Sequence, residues 1–377
     1  MSELMWTLAG ILGGFTALAI GGELLVGGTI GLARAWRVTP LVIGLTVVSF
    51  ATSTPELAVS LQSAVAEQTE LALGNALGSN IFNVLFILGG SALLVPLSVS
   101  SRLIRFDVPW MIGVAALVWL LAADGHLGRI DGLVLVALLV AYVAWTVVQS
   151  RYERPMIQQG FAQQLHSTAR SYWSWIGNAV AVVAGLLLLT VGARWLVAGA
   201  AAVAVRLGVS DLIIGLTIVA VGTSLPEVAA ALVAGLRGQR DIAVGNVIGS
   251  NIFNMLVVLG IPALATPYGI DVPRSALILD FPILMAVSLV CLPIFFTGNL
   301  VARWEGGLLL AYYLAYTLYL VLAAQQHDAG TTWGTILLLF IVPLTLLGVV
   351  LSLGLTTKWM KLRRLKNVVG KSDNVRA

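Results

Sequence analysis

The chain has 377 residues, 59% of them hydrophobic and only 10% charged, with a mean hydropathy of +0.98. Soluble domains carry about 25% charged residues, so this composition excludes an ordinary soluble protein and implies a polytopic membrane protein. The net charge of +4 and the pI near 9.4 reflect basic loops and contact with anionic lipid, not nucleic-acid binding.

A helix that crosses a bilayer needs ~20 mostly apolar residues. In chain order the sequence predicts eleven such spans, at 6–33, 40–66, 71–97, 106–123, 130–149, 173–205, 211–236, 242–268, 277–297, 303–323 and 332–356. The runs are continuously apolar, which excludes barrel strands, since those alternate polar and apolar residues. The first run has no basic leader and is too long for a signal-peptide core, so it is expected to persist as a helix. The single cysteine, Cys291, lies in a span, so no disulfide within the chain is expected. His126, His166 and His327 all fall in connecting segments, and a histidine metal site is not expected.

Basic residues set the orientation. With the N-terminus outside, 17 of the 21 Lys and Arg residues become cytoplasmic, including Arg34, Arg102, Arg237, Arg240 and the tail from Lys358 to Arg376. Arg129, Arg206 and Arg274 fall outside, and Arg194 lies within a span.

Two stretches repeat at a constant offset of 171 residues. GLTVVSFATSTPELAVSL (44–61) matches GLTIVAVGTSLPEVAAAL (215–232), and LALGNALGSNIFNVLFILG (71–89) matches IAVGNVIGSNIFNMLVVLG (242–260). Asp107 and Pro109 return as Asp280 and Pro282 after a two-residue slip. Five spans, an odd number, separate the copies, so they must cross the membrane in opposite directions. Inverted repeats with interrupted helices are the sequence signature of a secondary transporter with a midplane site. The predicted fold is an all-α polytopic membrane protein, a 5+5 inverted repeat with one extra C-terminal transmembrane helix. Its parts are residues 1–149, a cytoplasmic linker at 150–172, an inverted copy at 173–323, and the extra span with a basic cytoplasmic tail at 324–377.

The repeated words are rich in hard oxygen. Spacings of three and four put Thr52 and Ser53 on one helical face with Glu56. Pro55 has no amide hydrogen, which frees the Ala51 carbonyl. A free carbonyl in lipid is tolerated only where it lines a cavity or meets a ligand. The second copy offers Thr223, Ser224, Glu227 and the Gly222 carbonyl. Ser79 pairs with Asn83 on one face, and Ser250 with Asn254. Such a set suits Ca2+ or Na+ rather than zinc or copper. A lone hydroxyl usually bonds back to its own helix; a set twice repeated around a buried glutamate does not fit that reading. For Asn75, Asn80, Asn246 and Asn251, bonds between helices compete with ion contact.

Brought together by a pseudo-twofold axis, Glu56 and Glu227 form a site of charge about −2, which one Ca2+, two Na+ or two protons would neutralise. Mutually exclusive occupancy is the thermodynamic basis of exchange. Elsewhere, Glu23 and Arg194 occupy equivalent positions with opposite charge, which an ion pair between them would explain and so would snorkelling of each toward an interface. Glu67, Glu70, Asp124, Asp131 and Asp271 read as external loop charges.

The words TSTPE and TSLPE, each followed by GNxxGSNIFN, resemble the α-repeats of the calcium/cation antiporter superfamily, and most closely its prokaryotic sodium/calcium exchangers. The resemblance implies a core of spans 2, 3, 7 and 8, with long tilted spans 1 and 6 sliding across it. It also implies that Glu56 and Glu227 ligate both Ca2+ and Na+. Thr52 and Ser53 would join Ser79 in one Na+ site, and Thr223 and Ser224 would join Ser250 in the other. Asn83 and Asn254 would lie at the centre, and the carbonyls of Ser49 and Ala220 would complete the shells. Some relatives, notably the potassium-dependent exchangers, carry an aspartate where this chain has Asn83 or Asn254, so the two asparagines argue against K+ cotransport.

The expectation is therefore a transporter, not an enzyme: an antiporter coupling inward Na+ to Ca2+ extrusion by alternating access. No covalent cofactor is implied, and Ca2+ and Na+ are the transported substrates. An H+/Ca2+ exchanger on the same scaffold is the alternative, disfavoured because a proton needs no oxygen cage; a passive cation channel is a more distant one. The expected setting is the cell membrane, with anionic headgroups at the basic tail; assembly as a homo-oligomer stays open.

Overall fold

The computed structural model describes residues 3–36, 38–152, 172–207, 220–296 and 298–324. The apolar runs form long helices: α1 (Glu3–Trp36), α4 (Thr69–Leu94), α5 (Leu103–Asp124), α6 (Arg129–Tyr152), α7 (Tyr172–Arg206), α9 (Arg240–Ala265), α10 (Ala276–Phe296) and α11 (Arg303–Ala324). The run 40–66 is two helices, α2 (Pro40–Thr52) and α3 (Thr54–Val65), bent by 43° at Ser53. Its counterpart consists of the turn Ala220–Gly222 followed by α8 (Leu225–Leu236). The start of that span, most of the linker, span 11 and the tail lie outside the described residues.

Lipid and protein compete for the apolar surface, and the outcome differs by helix. In their most apolar stretches α4 and α9 bury 72% and 89% of their residues, against 22–44% in the other long helices. Leu120, Ile130 and Leu314 are among the large side chains left exposed for lipid. The molecule is thus a multi-pass membrane protein whose α4 and α9 form the inner layer.

Glycines decide how α1 meets α7. Gly14, Gly21 and Gly28 recur every seven residues, as do Gly185 and Gly192 on α7. A Cβ on Gly14 would lie 2.9 Å from the Gly192 carbonyl oxygen, and one on Gly21 2.9 Å from that of Gly185. The backbones therefore touch, as small residues permit in membranes, and the helices run antiparallel.

Two short strand pairs fix the faces. Leu97–Ser98 pairs antiparallel with Leu300–Val301, and His126–Leu127 with Ile270–Asp271. Helix α5 separates the first pair from the second, so they lie on opposite faces. Helix α4 then places the turn after α3 opposite the first pair, while α9 places the turn after α8 opposite the second. These two turns occupy equivalent positions in the two copies, and the fold sets them on opposite faces.

Candidate functional site

The two prolines explain the breaks. Pro55 and Pro226 stand in the first turn of α3 and α8, where a missing amide hydrogen costs nothing. The residues before those helices, Ser53 (φ −81°, ψ 4°) and Ser224 (φ −92°, ψ 6°), leave helical geometry. This alters the expectation from spacing. Thr52 and Ser53 sit before the break and Glu56 after it, so the same-face rule of a continuous helix does not hold across them.

Instead the hydroxyls reach across to the other copy. Ser224 donates to Glu56 Oε1 at 2.9 Å, and Ser53 donates to Glu227 Oε1 at 3.2 Å. Thr223 and Thr52 also lie close to Glu56 and Glu227 respectively. Ser79 meets Ser224, Oγ to Oγ, at 3.3 Å. The grouping of Ser79 with Thr52 and Ser53 is thereby corrected: Ser79 belongs with Glu56 and the hydroxyls of the second copy.

Burial is complete at the two carboxylates, with Glu56 0% and Glu227 1% exposed. Thr52, Ser53, Ser79, Asn83, Ser224, Ser250 and Asn254 are buried as well, and Thr223 is half-buried. Helices α4 and α9 each widen into a π-helical turn beginning at the central asparagines, Asn83–Leu88 and Asn254–Val258. Such widened turns are frequent at functional sites because they re-aim a side chain.

Several asparagines are fastened between helices. Asn75 donates to the Glu56 carbonyl at 3.0 Å and to Ser60 Oγ at 2.8 Å. Asn246 donates to the Glu227 carbonyl at 3.4 Å and accepts from Thr52 at 3.2 Å. Asn83 donates to Asn251 Oδ1 at 3.1 Å. The Ser49 carbonyl accepts from the Ser53 amide at 2.9 Å and from Thr52 Oγ1 at 3.4 Å.

Against this, Glu56 Oε2, Glu227 Oε2, Asn83 Oδ1, Asn254 Oδ1 and Ser250 Oγ are buried acceptors with no hydrogen-bond partner among the described residues. A buried carboxylate oxygen left so is costly unless a cation or a proton meets it. All five atoms are hard oxygens, the donor type that Na+ and Ca2+ take.

Sequence reasoning missed three participants. Ser49 Oγ donates to the Gly44 carbonyl of its own helix at 2.7 Å and lies 3.1 Å from the Asn246 carbonyl on α9, where Gly249 leaves the room it needs. Ser60 steadies Asn75. Away from the site, Asp107 accepts from Tyr142 at 3.0 Å and lies 3.8 Å from Arg102 Nε. The sequence marks Asp107 as a repeated position and Gly249 as one of the small residues of GNVIGSN, but not these side-chain contacts.

A Glu23–Arg194 pair is not made. Residues that touch across α1 and α7 run 14 to 192 and 21 to 185, so Glu23 faces the neighbourhood of 183, about 16 Å from Arg194 at 1.5 Å per residue. Glu23 pairs with Arg237 at the end of α8 instead.

Known proteins share this construction. The profile of the sodium/calcium exchanger protein family matches residues 6–148 and 177–322. The chain is 41% identical over 265 residues to the inner membrane protein YrbG of Escherichia coli, covering 69% of this chain and 79% of that one. It is 32% identical over 341 residues to the sodium/calcium exchanger MaX1 of Methanosarcina acetivorans, covering 81% and 96%. A solved structure of the sodium-calcium exchanger NCX_Mj superposes with a TM-score of 0.70 at 30% identity, covering 82% of this chain and 97% of that one. Two broken helices that trade hydroxyls around buried glutamates, in a chain matched along both halves, make this protein a member of the sodium/calcium exchanger family.

Proposed function

We propose that the chain exchanges Na+ for Ca2+ by alternating access, with both ions competing for one site between Glu56 and Glu227. The coarser statement needs no proposal: the protein is a membrane transporter of the cation/Ca2+ antiporter type, not an enzyme. The observation that carries the finer reading is the cluster of buried, unpartnered oxygens at the two carboxylates. Ca2+ would take both glutamates. Na+ would divide between two groups: Glu56 with Ser79, Thr223 and Ser224, and Glu227 with Thr52, Ser53 and Ser250. Asn83 and Asn254 would supply neutral oxygen between them. Occupancy by one ion excludes the other, and an empty site of charge about −2 is too costly to carry across the membrane, so the site would cross only when filled by Ca2+ or by Na+.

The two copies act as inverted halves, with the N-terminus outside and α1 and α7 together as the moving element. In proteoliposomes loaded with Na+, dilution into Na+-free buffer is expected to drive radioactive Ca2+ uptake. That uptake disappears at equal Na+ on both sides and in Glu56→Gln. Uptake that ignores the Na+ gradient and follows a pH gradient would assign H+/Ca2+ exchange to the same site, and uptake without any counter-ion gradient would assign a channel.

A further inference from the structure

We propose that two ion pairs of opposite polarity, Glu23–Arg237 and Arg194–Glu67, latch the α1–α7 unit against the core in alternate access states. The inference rests on the alternating-access reading above.

The first latch is closed here. Glu23 on α1 pairs with Arg237 at the end of α8, each side chain about half exposed. Around it α1 lies directly on α8: a Cβ on Gly22 would meet Val233 Cγ2 at 2.9 Å, and one on Gly27 would meet Arg237 Nη1 at 3.6 Å. The equivalent helices of the opposite copies, α7 and α3, lack this packing. Among the described residues, the contact of α1 on α8 is thus made and the equivalent contact of α7 on α3 is not.

The offset of 171 shows what would seal it. Glu23 corresponds to Arg194, and the Arg237–Gly238 turn corresponds to Ala66–Glu67. Charge is reversed on the moving helix, and on the turn it is reversed and moved one position along. Arg194 and Glu67 are both exposed, and neither has an ion-pair partner among the described residues. A second observation marks Glu67. It takes a left-handed conformation, φ 61°, at the position where the other copy has Gly238 at φ 73°. A glutamate costs more there than glycine, and strain of this kind persists where the surroundings demand it. When the closely packed α1–α7 unit shifts, Arg194 comes to the turn at Glu67 while Glu23 leaves Arg237. Opposite charges on the two moving residues keep each from docking at the other's turn.

The test uses paired cysteines in a Cys291→Ser background, in liposomes, with a short thiol cross-linker. Glu23→Cys with Arg237→Cys and Arg194→Cys with Glu67→Cys are both expected to cross-link, and each link to arrest Ca2+ uptake until it is cleaved. Adding Glu23→Gln to the second pair should raise its cross-linking about two- to five-fold, the range for a half-exposed ion pair. The charge exchange Glu23→Arg with Arg237→Glu should return the yield toward the starting value. If the second pair never cross-links in a protein that transports, or if Glu23→Gln leaves the yield unchanged, the proposal is overturned. Cross-links that respond to Glu23→Gln in a protein with no gradient-driven Ca2+ uptake would keep the latch and overturn the exchange reading instead.

Discussion

The two copies of the repeat agree in their chemistry and disagree in their packing. At the centre, Ser53 serves Glu227 as Ser224 serves Glu56, and the carbonyl of each glutamate is held by the asparagine 19 residues later. At the rim, α1 is packed on α8 and fastened by an ion pair, while α7 and α3 have no such contact. The symmetry at the centre covers the carboxylates and the hydroxyls that reach them, but not their surroundings: Ser79 meets Ser224, whereas the equivalent Ser250 Oγ has no partner among the described residues. On the exchange reading proposed above, the shared carboxylates would serve the site whichever side it faces, and a gate shut on one face and open on the other would break the symmetry at the rim.

The strongest way to break this comparison is to remove one carboxylate. Glu56→Gln and Glu227→Gln should each reduce Ca2+ uptake by about 100-fold or more, since each leaves a buried charge cluster without one of its members. Equal losses sharpen the symmetry; a mild effect from one of them would show that only one copy binds. The cross-copy hydroxyls come next. Ser224→Ala should weaken Ca2+ competition with Na+ by about 10-fold, the scale of a hydrogen bond to a charged group. Ser53→Ala, at the longer distance, should do somewhat less.

The helix pair that both halves share is tested by adding bulk. Gly185→Val would push a side chain to within 2.6 Å of the Leu25 amide. It should cost about 1–3 kcal/mol, seen as a lower melting temperature in detergent, because overpacked interfaces relax only by shifting backbone. The smallest effect belongs to the turns. Glu67→Gly should stabilise the protein by up to about 1 kcal/mol by relieving its positive φ, and Gly238→Glu should destabilise it by a similar amount.

Much of this was legible in the sequence. Apolar run length gave the described spans to within a few residues, because lipid demands continuous apolar helices. The repeat marked the site, since buried oxygens are rare enough in a bilayer to stand out. What sequence could not supply was adjacency between copies. The offset of 171 identifies equivalent positions, and in an inverted pair equivalent positions are not neighbours: Glu23 and Arg194 are equivalent, yet Glu23 meets Arg237. The family resemblance groups Ser79 with the hydroxyls of its own copy, whereas in the structure it meets Ser224 of the other copy. Spacing on an unbroken helix puts Thr52 and Ser53 on one face with Glu56, and the break at Ser53 undoes that. The Asp107–Tyr142 contact stayed hidden because its partners are 35 residues apart on different helices, and repetition of Asp107 does not say which residue it meets.

The central claim is that two glutamates from opposite halves build one site. Equilibrium binding of radioactive Ca2+ to purified protein, titrated with Na+, tests it most directly. The account predicts one competitive Ca2+ per chain in the wild type, lost in Glu56→Gln and lost equally in Glu227→Gln. Two Ca2+ per chain, with each variant keeping one of them at unchanged affinity, would mean two independent sites and would contradict it.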